Sequence, residues 1–464
     1  MSDYLPSAPL RRALARLGRQ DLLDRLHAIR ALSAARGLHF LDDHSRPRTI
    51  DLASVPWVLT GAQVAFFRQL VRLIVDGLVQ LPQLYAQRPE IRALLPFDRR
   101  QEAWLSLAGR VTRPPLAVLG RMDSTAQYDH ARWRTGFEML EPNAVGVGGV
   151  HYAPTACSII LDALGDVLRR ALPGRRILPT TDPRGLLLEE CSWVAQRHGH
   201  AVRRIALIEN RDFTTGTDEF SSLAAYIRQQ GLDALVADPR ELSWRRGRLF
   251  ARGQAVDLLY RDCELGEFVD MERDGRRLTG LRHAIRDGRL ISGLMWEFDL
   301  KSAWELFTDA RYADWFSSAQ QRAFRAYLPW TRLVRQATAT DPSGKRCDLP
   351  AYIRREQRRL VLKPNALYGG QGVVIGARAT RSAWDAALRK ALRGATRYVV
   401  QRAARIGTER FPMLHHGAAR VVERSVVSGF FFNSSGVGLI GRFADDPVVN
   451  VSRGGGLLAA LMVQ

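Results

Sequence analysis

The chain has 464 residues, 46% hydrophobic and 25% charged, with a formal net charge of +21. That is ordinary globular composition, long enough for two or three joined domains, and it excludes a disordered polypeptide. No run approaches the roughly 20 apolar residues that span a bilayer, and "MSDYLPSAPLRRALARLG" places no apolar core behind a basic start, so a cytoplasmic protein is expected.

Residues 1–110 are predicted to form a helical cap region, in which Val64, Phe67, Val71, Ile74 and Leu78 gather on one apolar face. Residues 111–298 read as an α/β domain. Short apolar runs, "RILPT" (176–180), "RIALIE" (204–209), "ALVAD" (234–238) and "AVDLLYR" (255–261), alternate with helices near 184–198 and 218–230, the signature of a parallel sheet with crossovers. "ELSWRRGRLFARG" reads as a hairpin turning at Arg246-Gly247. Residues 299–464 open with helical sequence to about 335 and then turn strand-rich. "RLVLK" (359–363), "GVVIG" (372–376), "RYVVQ" (397–401), "ARVVERSVV" (419–427), "GFFFN" (429–433) and "VGLIGRF" (437–443) surround one helix near 382–393, an α+β pattern.

Cys157, Cys191, Cys263 and Cys347 lie far apart without a C-x-x-C pair, so reduced thiols are expected rather than a zinc site or a disulfide framework. His415-His416 has no spaced partner and is assigned to a loop. The positive charge would ordinarily point to a polyanion. Yet only four of the 68 basic residues are lysines (Lys301, Lys345, Lys363, Lys390), and the arginines are dispersed through the predicted helices, so nucleic acid is not the expected partner.

Chemistry concentrates in a few stretches. "VLKPNALYGGQGVVIG" (361–376) delivers Lys363 to a loop whose Gly369, Gly370 and Gly372 free the backbone amides to converge on an anion. A tight hairpin with a solvated lysine is the alternative, and no G-K-[ST] of a Walker loop follows. In "EPN", Glu141 and Asn143 point to one face of an extended segment, where a carboxylate and an amide oxygen can meet one hard cation.

Together with the upstream "GRMDS", these stretches resemble the circularly permuted ATP-grasp ligases, the group containing glutathionylspermidine synthetase and eukaryotic glutathione synthetase. The resemblance covers roughly 120–464. It implies a circularly permuted ATP-grasp fold behind an N-terminal helical region, with ATP and Mg2+ as cofactors. On it, Lys363, Gly369, Gly370 and Gly372 close over the triphosphate, Lys301 in "LKSAWELF" is the first nucleotide lysine, and Gln401 reaches the adenine. Glu141, Asn143 and Asp123 would hold magnesium, and Arg121 would meet phosphate. Arg261 in "LLYRD" would contact the acceptor substrate, and Arg453 in "SRGGG" would close over substrate or phosphate. Two of four lysines thus fall where the family places phosphate-binding lysines. One departure stands out: Leu367 occupies the place of a glutamate metal ligand, so a ligand is expected from Asp123 or Glu423.

The implied activity is ATP-dependent amide formation between a small-molecule or peptide carboxylate and an amine, through an acyl phosphate. The rival readings are an ATP-binding relative that lost catalysis through Leu367, and a nucleic-acid binder, which requires clustered arginines with exposed aromatics. A homodimer is the base-rate expectation.

Overall fold

The structure, a computed structural model, describes residues 7–42, 44–108, 117–128, 133–198, 201–212, 216–273, 275–367, 369–451 and 454–464. Near the N-terminus, helix Gly61–Leu78 starts at a capping box between Thr60 and Gln63 and buries Phe67, Val71, Ile74 and Leu78, the face its spacing predicts. The region is not purely helical. His39–Leu41, Pro47–Thr49 and Trp57–Thr60 are strands too short to show alternation. Nor does it form a separate cap, because Leu10, Phe67 and Trp104 share one hydrophobic core with residues from 118 to 463.

The centre is a six-stranded sheet in which distant segments meet. Gly120–Thr125 pairs with Met139–Asn143 on one side and with Ala418–Phe432 on the other, all antiparallel. Val437–Ala444 and Gly456–Leu458 continue the sheet, and Gly407–His415 folds back on Ala418–Phe432. The two strands expected at 419–427 and 429–433 are one 15-residue strand, since Gly429 neither breaks nor bends the ladder. His415 and His416 sit at the end of its hairpin.

Beside it lies a parallel sheet in the order Leu290–Ile291, Leu258–Arg261, Arg204–Ile208, Asp233–Ala237. From Arg204–Ile208 the chain crosses through helix Phe220–Gln229 to one neighbour, and the next central strand, Leu258–Arg261, lies on the other side. The carboxyl ends of these two strands therefore flank a topological switch point, the position at which open α/β sheets bind ligands. The 242–251 hairpin turns at Arg246 and Gly247, both at positive φ, as expected. "RILPT" departs from expectation. Ile177–Pro179 pairs with the C-terminal strand Ala460–Val463, which also pairs in parallel with Trp57–Thr60.

A smaller unit has its own core. Strands Thr331–Leu333, Tyr398–Arg402, Leu360–Pro364 and Val374–Ile375 form an antiparallel sheet. Helices Leu349–Arg355 and Arg381–Arg393 cover one face, and Trp330, Leu349, Ile353, Leu362, Trp384 and Val400 pack between. The packing thus divides 299–464 differently from the sequence reading: 330–402 forms the small lobe, while 407–464 completes sheets of the large one. At the seam, buried Glu305 on helix Ala303–Thr308 accepts from Leu333 N (2.6 Å) and pairs with Arg335 (2.7 Å). Among the described residues no helix is long and apolar enough to cross a membrane.

Candidate active site

Residues directly opposite in antiparallel strands share a face. The register Arg121↔Asn143 and Asp123↔Glu141 therefore brings four predicted site residues together on one side of the central sheet. Arg121 Nε donates to Asp123 Oδ1 (2.8 Å), and Arg442 Nη2, from the strand beyond Ala418–Phe432, meets the same oxygen at 2.8 Å. This reach depends on Gly429. A Cβ there would lie 2.6 Å from Arg121 Cδ, so the missing side chain is the room through which Arg121 crosses. Burial alone would raise the Asp123 carboxyl, and Arg121 and Arg442 more than reverse it, holding it at about 2.

The small lobe supplies the facing wall. Lys363 lies on the face of its strand opposite the small-lobe core and donates to Gln401 Oε1 (2.8 Å). Burial lowers its pKa, opposed by Glu141. Lys301 is buried beneath the glycine loop, with Nζ 2.7 Å from Leu367 O and 3.6 Å from Glu141 Oε2. Asn365, which follows Lys-Pro, fixes that lysine's backbone: its carbonyl accepts from Lys301 N (3.3 Å) and its side chain from Ser302 N (2.8 Å). The glycine loop is a hairpin. Its strands pair (Val361↔Ile375), and Leu367 O on its entering arm accepts from Lys301 Nζ. Gly369, Gly370 and Gly372 all adopt positive φ, and a Cβ on Gly370 would fall 2.4 Å from Val448 Cγ1. Asn450 Nδ2 donates to Gly369 O (2.9 Å), joining the loop to the 446–451 segment.

One end of this basic floor meets an acidic wall at the switch point. The loop after Asn143 turns at Gly146, whose Cβ would lie 2.7 Å from Asp262 O. Ala144 N is bonded to Asp299 Oδ2 (2.5 Å), and Glu219 accepts from Gly149 N (2.6 Å) and His151 N (2.8 Å). Burial raises Asp299 to about 7 and Glu219 to about 7, and burial with Glu209 raises Asp262 to about 6.

Several expectations change. Arg261 does not face a substrate: its guanidinium is fully buried, ion-paired with Glu297, and donates to Ser292 O (2.7 Å) and Cys263 O (3.0 Å). Gln401 is 2% exposed, and its amide N–H groups go to Leu140 O (3.1 Å) and Thr331 Oγ1 (3.0 Å), so it orients Lys363 rather than reaching a base. Asp123 is occupied by guanidiniums. Glu423 is exposed on the outer hairpin, bonded by Thr408 Oγ1 (2.9 Å), and takes no part in the cluster. Arg453 lies outside the described residues. Arg442 and Asn365 went unseen in sequence; the signal for Arg442 was a lone charge within the apolar strand "VGLIGRF".

Among the described residues no group of three or more His, Cys, Asp or Glu side chains is placed to hold a metal ion. Magnesium on a phosphate needs less, one or two carboxylates beside phosphate and water oxygens. Glu141 fits this, and so does Asn143, which uses its amide N–H on Arg121 O (3.4 Å) and keeps its oxygen.

No family model matches this chain, nor does any curated protein. Its fold does have solved counterparts. A glutathione synthetase-like effector from Globodera pallida, in apo form, matches with a TM-score of 0.63 and 11% identity over 96% of this chain and 98% of that one. A putative gamma-glutamylcysteine synthetase from Methylobacillus flagellatus gives 0.39 at 12% identity, over 83% and 87%, and D-cycloserine synthetase 0.25 at 13%, over 55% and 90%. The chain thus has the mixed helix-and-sheet fold of a glutathione synthetase-like protein, and the expected resemblance holds at the level of fold.

Proposed function

We propose that this protein is a cytoplasmic, ATP-dependent carboxylate–amine ligase of the circularly permuted ATP-grasp type, joining a small-molecule or peptide carboxylate to an amine. The observation that carries the reading is the convergence of Lys363, Arg121, Arg442, Glu141 and Asn143 from two sheets with Lys301 from the turn before helix Ala303–Thr308, beside one glycine loop. Four cations against the carboxylates of Asp123 and Glu141 leave a net positive floor suited to a polyphosphate. The exposed-aromatic requirement of the nucleic-acid reading is unmet: among the described residues the exposed large hydrophobic side chains are Leu367 and Val421.

In the proposed reaction the γ-phosphoryl group passes to a substrate carboxylate oxygen, giving ADP and an acyl phosphate. The amine then attacks the carbonyl carbon, phosphate leaves, and the ammonium formed loses a proton. Neither step needs a protein nucleophile; positioning and charge neutralisation carry phosphoryl transfer. Lys363, oriented by Gln401, and Lys301, seated by Asn365, would hold the phosphates. Arg121 and Arg442 would hold the γ-phosphate and the charge that develops as it passes to the carboxylate. Magnesium, held by Glu141 and Asn143, would neutralise phosphate charge. The acidic wall at the switch point would draw an ammonium-bearing substrate. The glycine loop would exclude water from the acyl phosphate.

Calorimetric titration of ATP with Mg2+ tests the reading. Saturable binding is expected, falling at least tenfold in Lys363→Ala; no binding by the unaltered protein would defeat it.

A further inference from the structure

Resting on the nucleotide-binding reading above, we infer that this site takes a single divalent cation, on Glu141 and Asn143, and that Asp123 is a positioning residue for two guanidiniums instead of a metal ligand. Both nitrogens that reach Asp123 Oδ1 do so at 2.8 Å, and Arg121 Nη2 lies 3.4 Å from Oδ2. The arrangement is built in: Arg121 fills the space left by Gly429, and Arg442 Nε is buried without another partner. Leu367 offers an apolar side chain, and its carbonyl is already bonded to Lys301 Nζ. Among the described residues no group of three or more His, Cys, Asp or Glu side chains is placed to hold a metal ion, which leaves Glu141 and Asn143 to one cation. The place of a second ion at the far end of the phosphate chain is taken by Arg442 and Arg121, fixed cations that cannot dissociate.

Two consequences follow. Metal should be counted once per nucleotide, and Asp123 should matter through Arg442. Manganese bound to the protein with a non-hydrolysable ATP analogue, counted by electron paramagnetic resonance, is expected at one ion per nucleotide. Asp123→Asn should keep that count with affinity changed less than threefold, whereas Glu141→Gln should weaken manganese at least tenfold. Arg442→Met should lower metal-free affinity for inorganic tripolyphosphate at least fivefold, and by much less in an Asp123→Asn background. Two ions per nucleotide, manganese loss in Asp123→Asn equal to that in Glu141→Gln, or additive effects in the double variant would each overturn the inference. The wild-type count decides it even where a variant fails to fold. Failure of any nucleotide to bind, with or without metal, is a separate result that removes the proposed function and this inference together.

Discussion

Individual side chains in this protein are informative in proportion to how unusual they are for the chain. Lysine is rare among its cations, so Lys301 and Lys363 stood out, and both point into the cleft between sheets. Arginine is common, so sequence could not separate Arg442, on the cleft floor, from Arg261, whose donors are spent on Glu297 and carbonyls. The difference lies in neighbours supplied by other elements. The acidic wall gives a prediction at this scale. Asp299 titrates near 7 in the folded protein, through burial and Glu297, against 3.8 ordinarily. It keeps its proton between about pH 4 and 7 when folded and loses it when unfolded. Its contribution to stability is therefore complete below about pH 4 and lost as pH rises through 7, with a ceiling of about 1.4 kcal/mol per pH unit for one proton. Denaturant midpoints of Asp299→Asn measured from pH 5 to 8 should fall less steeply than those of the unaltered protein; parallel profiles would show that Asp299 ionises normally.

Elements were legible where their own pattern was long enough. Helix Gly61–Leu78, the strands Arg204–Ile208, Asp233–Ala237 and Leu258–Arg261 of the parallel sheet and the 242–251 hairpin all form as periodicity and turn residues require. Strands of three or four residues such as Trp57–Thr60 were not, because pairing with a distant segment, rather than local alternation, makes them strands. Gly429 shows how a strand position can serve a site. It was read as the first residue of a second strand, yet the ladder runs unbroken through it and its vacancy holds Arg121. Gly429→Ala should leave the sheet intact, since the atoms forced aside belong to a flexible side chain. It should weaken nucleotide binding about tenfold by moving Arg121, the cost of misplacing a positioning group. A folded Gly429→Ala protein with unchanged affinity would refute the role given to Arg121.

At the scale of the whole molecule, the site exists only between two lobes with separate cores, joined at Glu305 and Arg335 and by the loop contact of Asn450 with Gly369. Trp384 is fully buried in the small core, and its removal should cost about 3–5 kcal/mol. Hydrogen exchange of Trp384→Ala is expected to show lost protection across 330–402 with the 120–143 and 418–444 strands still protected; uniform loss would mean that the lobes unfold as one unit. Composition, periodicity and the spacing of Lys-Pro, Gly-Gly-x-Gly and Glu-x-Asn by themselves determined the alternating α/β region, the strand-rich end and most of the residue types that meet beside the glycine loop. Those features are local, carried by neighbours within a few residues along the chain. The tertiary structure alone decided that 120–143 pairs with 418–444, that the C-terminal strand joins Trp57–Thr60 and Ile177–Pro179, and that Asp123 is held by two arginines. Those outcomes depend on hydrogen-bond register and charge pairing between segments hundreds of residues apart, which no local pattern encodes.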